Sequence, residues 1–419
     1  MERLGNDLQR QNVTHPPSEI ILVAGARPNF VKLAPLYHEL CHRLERFRPI
    51  ILHTGQHYDA QMSDVFFREL DLPEPHIFLG VGSGSHAEQT ARIMLGVEET
   101  LTNRKPALVV VFGDVNSTLA ATITAAKLNV PVAHVEAGLR SFDRSMPEEI
   151  NRLVADALGD LLLTPSRDAD RNLLSEGVAP EKIVMVGNIM IDTLVRFMPR
   201  AEESTVIRDL GLTSGRYALM TMHRPGNVDH AHTIETLVRI IDELTATHPV
   251  VFPAHPRTRK NLLAMGGRAA ELMNGARANL IVTEPLGYFD FLKLQKESGV
   301  TLTDSGGVQE ETTFLGVPCL TLRPNTERPV TITHGSNHLI GLDSVAAIEH
   351  ARRFLDAPRR SYATPPLWDG RAASRIVDAF ERFLFVTPHA TFVDTQSDRR
   401  RVDAMSALMD TPNELSHTR

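Results

Sequence analysis

Three groups of residues in this chain have the types and spacing for chemistry. The first lies between His134 and Arg152, where Glu136 and Glu148 stand near Arg140 and Arg152 with Gly138 at a bend. Carboxylates at such a place can exchange protons with a bound molecule. The second is Asp114, directly after the apolar run Ala107–Gly113. The third is Asp304-Ser-Gly-Gly307 ahead of a helical pattern over Val308–Leu315. Glycines there let the backbone approach closely, and the helix start offers free N–H groups to a phosphate. An ordinary strand-to-helix turn capped by Ser305 explains the same residues equally well. Glu310 and Glu311 follow. One of them facing inward could take both hydroxyls of a ribose, and otherwise they form a solvated acidic first turn.

Arg27, Lys32, His223, Arg224 and Arg328 stand at or just beyond strand ends in both halves of the chain. Each alone reads as a surface charge; together they could neutralise a diphosphate. Among the carboxylates, Glu136 and Asp114 rank above Glu148 as acid–base groups. Ser145-Met-Pro-Glu148 fits a capping box, which would account for Glu148 structurally.

Other chemistries find no support. The 18 histidines include no His-Glu-x-x-His and no Cys/His cluster at ligand spacing, so no metal is expected. His230-Ala-His232 is the nearest approach. No Gly-x-Ser-x-Gly is present. The Gly80–Ser85 loop lacks the spacing and the strand–turn–helix frame of a dinucleotide fingerprint, so no cofactor is expected either.

The elements that must position these groups alternate strand and helix. Strands are expected over 19–25, 50–54, 107–113, 130–135, 160–164 and 182–186 in the first half. In the second they fall over 217–222, 250–254, 280–283, 299–303 and 317–322. Helical patterns lie over 29–46, 60–70 and 86–101, and over 150–161 with apolar Ile150, Leu153, Val154, Ala157, Leu158 and Leu161. Asn116 or Ser117 should cap the helix after Asp114. Further helices are expected near 231–247, 345–356 and 371–384. Alternation with short links argues for parallel, doubly wound sheets. At 419 residues two domains are expected: 19–198 and 205–386, joined by a linker at Pro199–Ser204, with the last helix returning to the first. Residues 1–18 form a polar N-terminal extension and 387–419 a polar tail.

A net charge of -7 leaves no electrostatic footprint for nucleic acid or an anionic membrane. The two cysteines, Cys41 and Cys319, fit a reducing compartment. With no signal-peptide pattern and no apolar run long enough to span a bilayer, a cytoplasmic protein is expected.

Jointly, Gly25-Ala-Arg-Pro-Asn-Phe-Val-Lys32, Thr54-Gly-Gln-His57, Gly113-Asp114, His134–Arg140, Pro147–Arg152, His223-Arg224, Asp304–Glu311 and Thr326-Glu-Arg-Pro329 resemble the motifs of non-hydrolysing UDP-N-acetylglucosamine 2-epimerases. The resemblance runs in order from about Glu19 to Leu384. It implies two Rossmann-like domains facing a deep cleft, the glycosyltransferase-B arrangement, and a homodimer. It implies active-site roles for Arg27, Lys32, Asp114, Glu136, Glu148, Arg152 and His223, and uracil packing by Phe291. UDP binding would fall to Ser305, Gly306, Gly307, Glu311 and Arg328. Gln56 and His57 match part of an allosteric site for a second UDP-sugar.

The implied reaction is reversible C2 epimerisation to UDP-N-acetylmannosamine through 2-acetamidoglucal, with UDP leaving and returning. A modified substrate such as UDP-2,3-diacetamido glucuronate, a hydrolysing epimerase, or a UDP-sugar glycosyltransferase of the same architecture are the competing expectations. Asn29, Val330, the Tyr-Asp-Ala-Gln-Met segment after His57, and Leu367-Trp368 depart from the family's commoner residues.

Overall fold

The computed structural model describes residues 16–56, 67–275, 277–358 and 360–386, and of Arg27 the backbone only. Two wholly parallel sheets carry the described chain. The first runs in the order β3-β2-β1-β4-β5-β6-β7. Its strands are β1 Ser18–Ala24, β2 Phe47–His53, β3 Ile77–Phe78, β4 Leu108–Phe112, β5 Val132–Val135, β6 Leu161–Thr164 and β7 Ile183–Met185. The second runs β10-β9-β8-β11-β12-β13. It comprises β8 Ala218–Thr221, β9 Val250–Pro253, β10 Leu280–Thr283, β11 Val300–Thr303, β12 Cys319–Thr321 and β13 Asn337–Leu339.

Period-two alternation explains the layers. Ile20, Leu22, Leu108, Val110 and Phe112 enter one core, with the helices Arg27–Cys41, Ile189–Glu202 and Ala372–Glu381. Ile21, Val23, Val109 and Val111 point the other way, onto the helices His86–Arg104 and Asn116–Lys127. Strands buried on both faces read as unbroken apolar runs, as Leu108–Phe112 does. The second sheet repeats the device: Ala218 and Met220 face one cluster, Tyr217 and Leu219 the other.

In each sheet the winding reverses once, between β1 and β4 and between β8 and β11. Ligands of such sheets bind in the crevice beyond the strand ends at that point. Gly25–Lys32 follows β1, Gly113-Asp114 follows β4, His223-Arg224 follows β8, and Asp304–Gly307 follows β11. All the turns with candidate chemistry at these four strands therefore lie at a switch point.

Several local expectations need correction. The helix after β1 stops at Cys41, because β2 already begins at Phe47. Neither Asn116 nor Ser117 caps its helix; the N-cap is Val115, and Ser117 is engaged by Thr54 and Gln56. The capping box at Ser145 does not form, since Pro147 moves the helix start to a Met146 N-cap and the Ser145 hydroxyl turns to Asp143. Pro199–Ser204 is not an open linker at its start, because the helix Ile189–Glu202 runs through Pro199 with Ala201 fully buried. The pattern over 60–70 falls largely outside the described residues, and so do nearly all of the N-terminal extension and the whole tail.

The helix Pro147–Leu158 is turned opposite to its apolar pattern. Glu149, Asn151, Arg152, Ala155 and Asp156 are buried. Ile150 and Leu158 are 41 % and 40 % exposed. Polar groups tolerate burial only when partnered: Asn151 donates to the Asp114 carbonyl at 2.8 Å, and the other three have partners in the site below.

Candidate active site

On the first sheet, Asn29 closes the turn after β1. Its carboxamide oxygen accepts from the Gly25 and Ala26 N–H groups, both at 3.1 Å, and its nitrogen donates to the Phe112 carbonyl at 3.0 Å. This ties the end of β1 to the end of β4 and starts the helix that carries Lys32. The Lys32 ammonium pairs with Glu136. Gly113, at φ 60°, leaves room for that pair: a Cβ there would lie 2.9 Å from Lys32 Nζ and 3.0 Å from Glu136 Oε2. Glu136 itself adopts φ 72°, a conformation that costs a non-glycine residue on the order of 1–3 kcal/mol and is kept where surroundings over-determine it.

The surroundings do so through a buried framework. The His134 ring meets the Gly113 carbonyl at 2.8 Å and the Asp156 carboxylate at 2.6 Å. Asp156 also accepts from the Gly138 N–H at 3.0 Å and from Arg140 at 2.7 Å, and Arg140 continues to Glu176. Burial works against ionised Asp156, but His134 and Arg140 hold it below the usual carboxylate range. Gly138 is forced: its φ is 80°, and a Cβ would come within 2.5 Å of the Ala169 carbonyl.

Asp114 pairs with Arg152. Burial opposes its charge, yet Arg152, Lys32 and Arg328 hold its carboxyl below the usual range, so it stands ionised. Glu149 accepts from Ser141 N and Oγ, Phe142 N and Arg152 at 2.8–3.2 Å, so the structural glutamate here is Glu149. Glu148 is half-buried and has no hydrogen bond or ion pair among the described residues.

On the second sheet, buried Asp304 accepts from the His223 and Arg224 N–H groups and from Asn227, while His223 Nδ1 lies 3.0 Å away. Burial would raise its pKa, but these partners keep it low. Asp304 thus fixes the His223 turn beside the glycine turn. Ser305 is the N-cap residue, yet its side chain does not cap the helix Gly306–Leu315. Glu310 and Glu311 are buried rather than solvated. Burial pushes Glu311 up to about 7, against hydrogen bonds from Gln295 and Tyr288. Glu310 is likewise pushed up to about 7 by burial, against the pull of Arg328.

The two sides meet at Arg328. Its Nη2 donates to Glu136 Oε1 at 2.8 Å, while Nε lies 2.8 Å from Glu310 and Nη1 2.7 Å from Glu327. Glu327 also receives Arg323 at 2.9 Å and Arg224 at 3.3 Å. Burial opposes its charge, but these guanidinium groups hold it far below the usual range. Nitrogens of Arg152, Arg323 and Arg328 are buried without an aligned acceptor among the described residues. Arg328 and Arg152 nonetheless keep close carboxylates, Glu310, Glu327 and Glu149, at 2.7–3.1 Å, so this is a buried ion-pair network beside a helix N-terminus.

The structure thus brings together Lys32, Asp114, Glu136, Arg152 and Arg328, with Ser305–Gly307 adjoining: a Cβ on Gly306 would strike the Arg328 guanidinium. His223 joins through Asp304, and Glu311 lies behind with Tyr288 and Gln295. Phe291 packs in an apolar cluster with Leu219, Val251 and Leu286. Gln56 spends its side-chain oxygen on Ser117. The Arg27 side chain and His57 lie outside what is described. Of the departures, Val330 and Trp368 share one apolar cluster with Ile191, and the Trp368 indole donates to the Pro165 carbonyl at 3.0 Å. Sequence reasoning passed over Glu149, Asp156, Arg323 and Glu327. The signal for the last two was present: Arg323, Glu327 and Arg328 crowd one short loop after an apolar strand.

Two parallel Rossmann-like sheets whose charged switch-point turns meet at Arg328 are the glycosyltransferase-B arrangement. The model of the UDP-N-acetylglucosamine 2-epimerase family matches residues 39–381. The UDP-N-acetylglucosamine 2-epimerase of Methanocaldococcus jannaschii is 40 % identical over 366 residues, covering 86 % of this chain and 98 % of that one. The UDP-2,3-diacetamido-2,3-dideoxy-D-glucuronate 2-epimerase of Pseudomonas aeruginosa is 40 % identical over 341 residues, 80 % of this chain and 92 % of that one. The crystal structure of the M. jannaschii enzyme in complex with UDP-GlcNAc and UDP superposes with a TM-score of 0.79, at 39 % identity, over 86 % of this chain and 99 % of that one. The chain belongs to the UDP-N-acetylglucosamine 2-epimerase family.

Proposed function

We propose that the protein interconverts UDP-N-acetylglucosamine and UDP-N-acetylmannosamine by eliminating UDP and adding it back. The C2 proton is not adjacent to a carbonyl, so it becomes acidic only as the C1–O bond breaks and positive charge grows at C1. The sugar then passes through 2-acetamidoglucal, and a proton returns to the opposite face of C2 as UDP re-adds. The observation that carries this reading is the Arg328–Glu136 contact at 2.8 Å. It sets the Arg328 guanidinium against a proton-transfer wall, as C1–O cleavage coupled to C2 proton loss requires.

The residue roles are part of the same proposal. Arg328, Arg27 and His223 stabilise the departing diphosphate, and Ser305, Gly306 and Gly307 hold it with backbone and hydroxyl donors. Glu311 accepts the ribose hydroxyls, and Phe291 packs the uracil. Asp114, Glu136 and Glu148 exchange protons with C2 from its two sides. Arg152 orients Asp114 and Lys32 orients Glu136. The M. jannaschii complex supports the ligand class, since that structure holds UDP-GlcNAc and UDP. The equal identity to the P. aeruginosa enzyme makes UDP-2,3-diacetamido glucuronate the second substrate to assay. Incubation with each UDP-sugar, followed by separation of the epimers, tests the reading. Release of free N-acetylmannosamine, or transfer to an acceptor, would replace it.

The working unit proposed is a homodimer of cytoplasmic chains with domains 19–198 and 205–386. Exposed Leu95, and Ile150 with Leu158, lie on the two helices that flank Asn116–Lys127, and support a self-interface on that side of the first sheet. Ile150→Asp with Leu158→Asp should give monomers in sedimentation; an unchanged dimer overturns that surface. Both cysteines are free, and no described helix is long and apolar enough to cross a membrane.

A further inference from the structure

Three carboxylates surround the Arg328 guanidinium, and they are not equivalent. Glu310 and Glu327 belong to the same sheet unit as Arg328. Glu136 belongs to the other. The Glu136 contact is an aligned hydrogen bond at 2.8 Å, while Glu310 and Glu327 hold Nε and Nη1 as close ion pairs at 2.8 and 2.7 Å. Glu136 in turn has both carboxylate oxygens occupied, Oε1 by Arg328 and Oε2 by Lys32. A carboxylate so held has each oxygen already tied to a cation.

We propose that the substrate's diphosphate and Glu136 compete for Arg328, so that binding of the diphosphate is the event that frees Glu136 to act as a base. On exchange, one contact forms between Arg328 Nη2 and a phosphate oxygen, and one breaks between Arg328 and Glu136 Oε1. Charge is conserved at the guanidinium, because one anion replaces another. Glu310 and Glu327 are the positioning residues: they hold the guanidinium in place while its third partner changes. Lys32 keeps the released carboxylate near the Gly113 turn through its other oxygen. An empty site therefore keeps its base engaged, and the base is exposed only when a phosphate group sits where the leaving group must go. The inference rests on the UDP-sugar reading above and adds to it the order of events.

The test is equilibrium binding of UDP and of uridine, by calorimetry at one pH and salt concentration, to the full-length wild-type protein, Glu136→Gln and Glu136→Asp. Without a competing carboxylate at full reach, both variants should bind UDP about tenfold more tightly or better. Uridine, having no phosphate, should bind all three alike. UDP affinity unchanged within twofold, or weakened, overturns the exchange. A gain for uridine equal to that for UDP also overturns it, since the variants would then merely loosen the cleft. The Asp variant keeps the charge, so one variant remains informative if the other fails to fold. A wild-type protein that binds no UDP at all refutes the nucleotide-sugar reading instead, which keeps the two failures apart.

Discussion

Glu311 offers a quantitative test of the buried second half of the site. The residue is 5 % exposed, and its pKa moves from 4.5 to about 7 through burial. An acid whose pKa is raised on folding binds more protons folded than unfolded, so stability is lost as pH rises from about 4.5 to about 7. At about 1.4 kcal/mol per pH unit, the loss accumulated above pH 7 is on the order of 3 kcal/mol. Glu311→Gln keeps the shape and the acceptor facing Gln295 but removes the charge. The variant should match the wild type near pH 5 and exceed it by up to about 3 kcal/mol at pH 8, read by urea denaturation at both values. The same change should weaken UDP binding by about 10–100-fold, because a charged acceptor for the ribose is lost. A variant less stable than wild type at pH 8, or a stability difference that does not grow with pH, would refute the reasoning.

Three further outcomes follow from the geometry. Glu149→Gln should cost about 2–3 kcal/mol in chemical denaturation, because four donors, three of them buried, share that carboxylate; Glu148→Gln should lie within about 0.5 kcal/mol of wild type while lowering kcat. Gly138→Ala should cost at least about 2 kcal/mol, combining left-handed strain with a backbone clash. An undisturbed denaturation midpoint would contradict the placement of that turn. Asp114→Asn should lower kcat by about 10²–10⁴-fold with KM little altered, as expected for a proton-transfer group, and steady-state kinetics decide it.

Much of the fold was legible because parallel strands buried on both faces announce themselves, as Leu108–Phe112 does, and because alternation of strand and helix restricts the topology. The short edge strands Ile77–Phe78 and Asn337–Leu339 were not, since two or three residues carry no period. The switch-point turns could be read because glycines and charges at strand ends have few structural uses there. Local rules misled where tertiary partners outbid them. Ser145 had the sequence of a cap but Pro147 set the helix start, and the helix Pro147–Leu158 buried its polar face because Asp114, Ser141, His134 and Arg140 were waiting for those groups. Glu327 stood beside Arg323 and Arg328 in one loop, but its full role appears only once Arg224 joins them from the turn after β8.

The measurement that bears most directly on the proposed chemistry is the isotope content at C2. UDP-N-acetylglucosamine incubated with the protein in D2O should give UDP-N-acetylmannosamine with deuterium at C2, with UDP and 2-acetamidoglucal appearing in small amounts on long incubation. Epimer formed with the original proton still at C2 would contradict the elimination of UDP and the assignment of Asp114, Glu136 and Glu148 as its proton carriers.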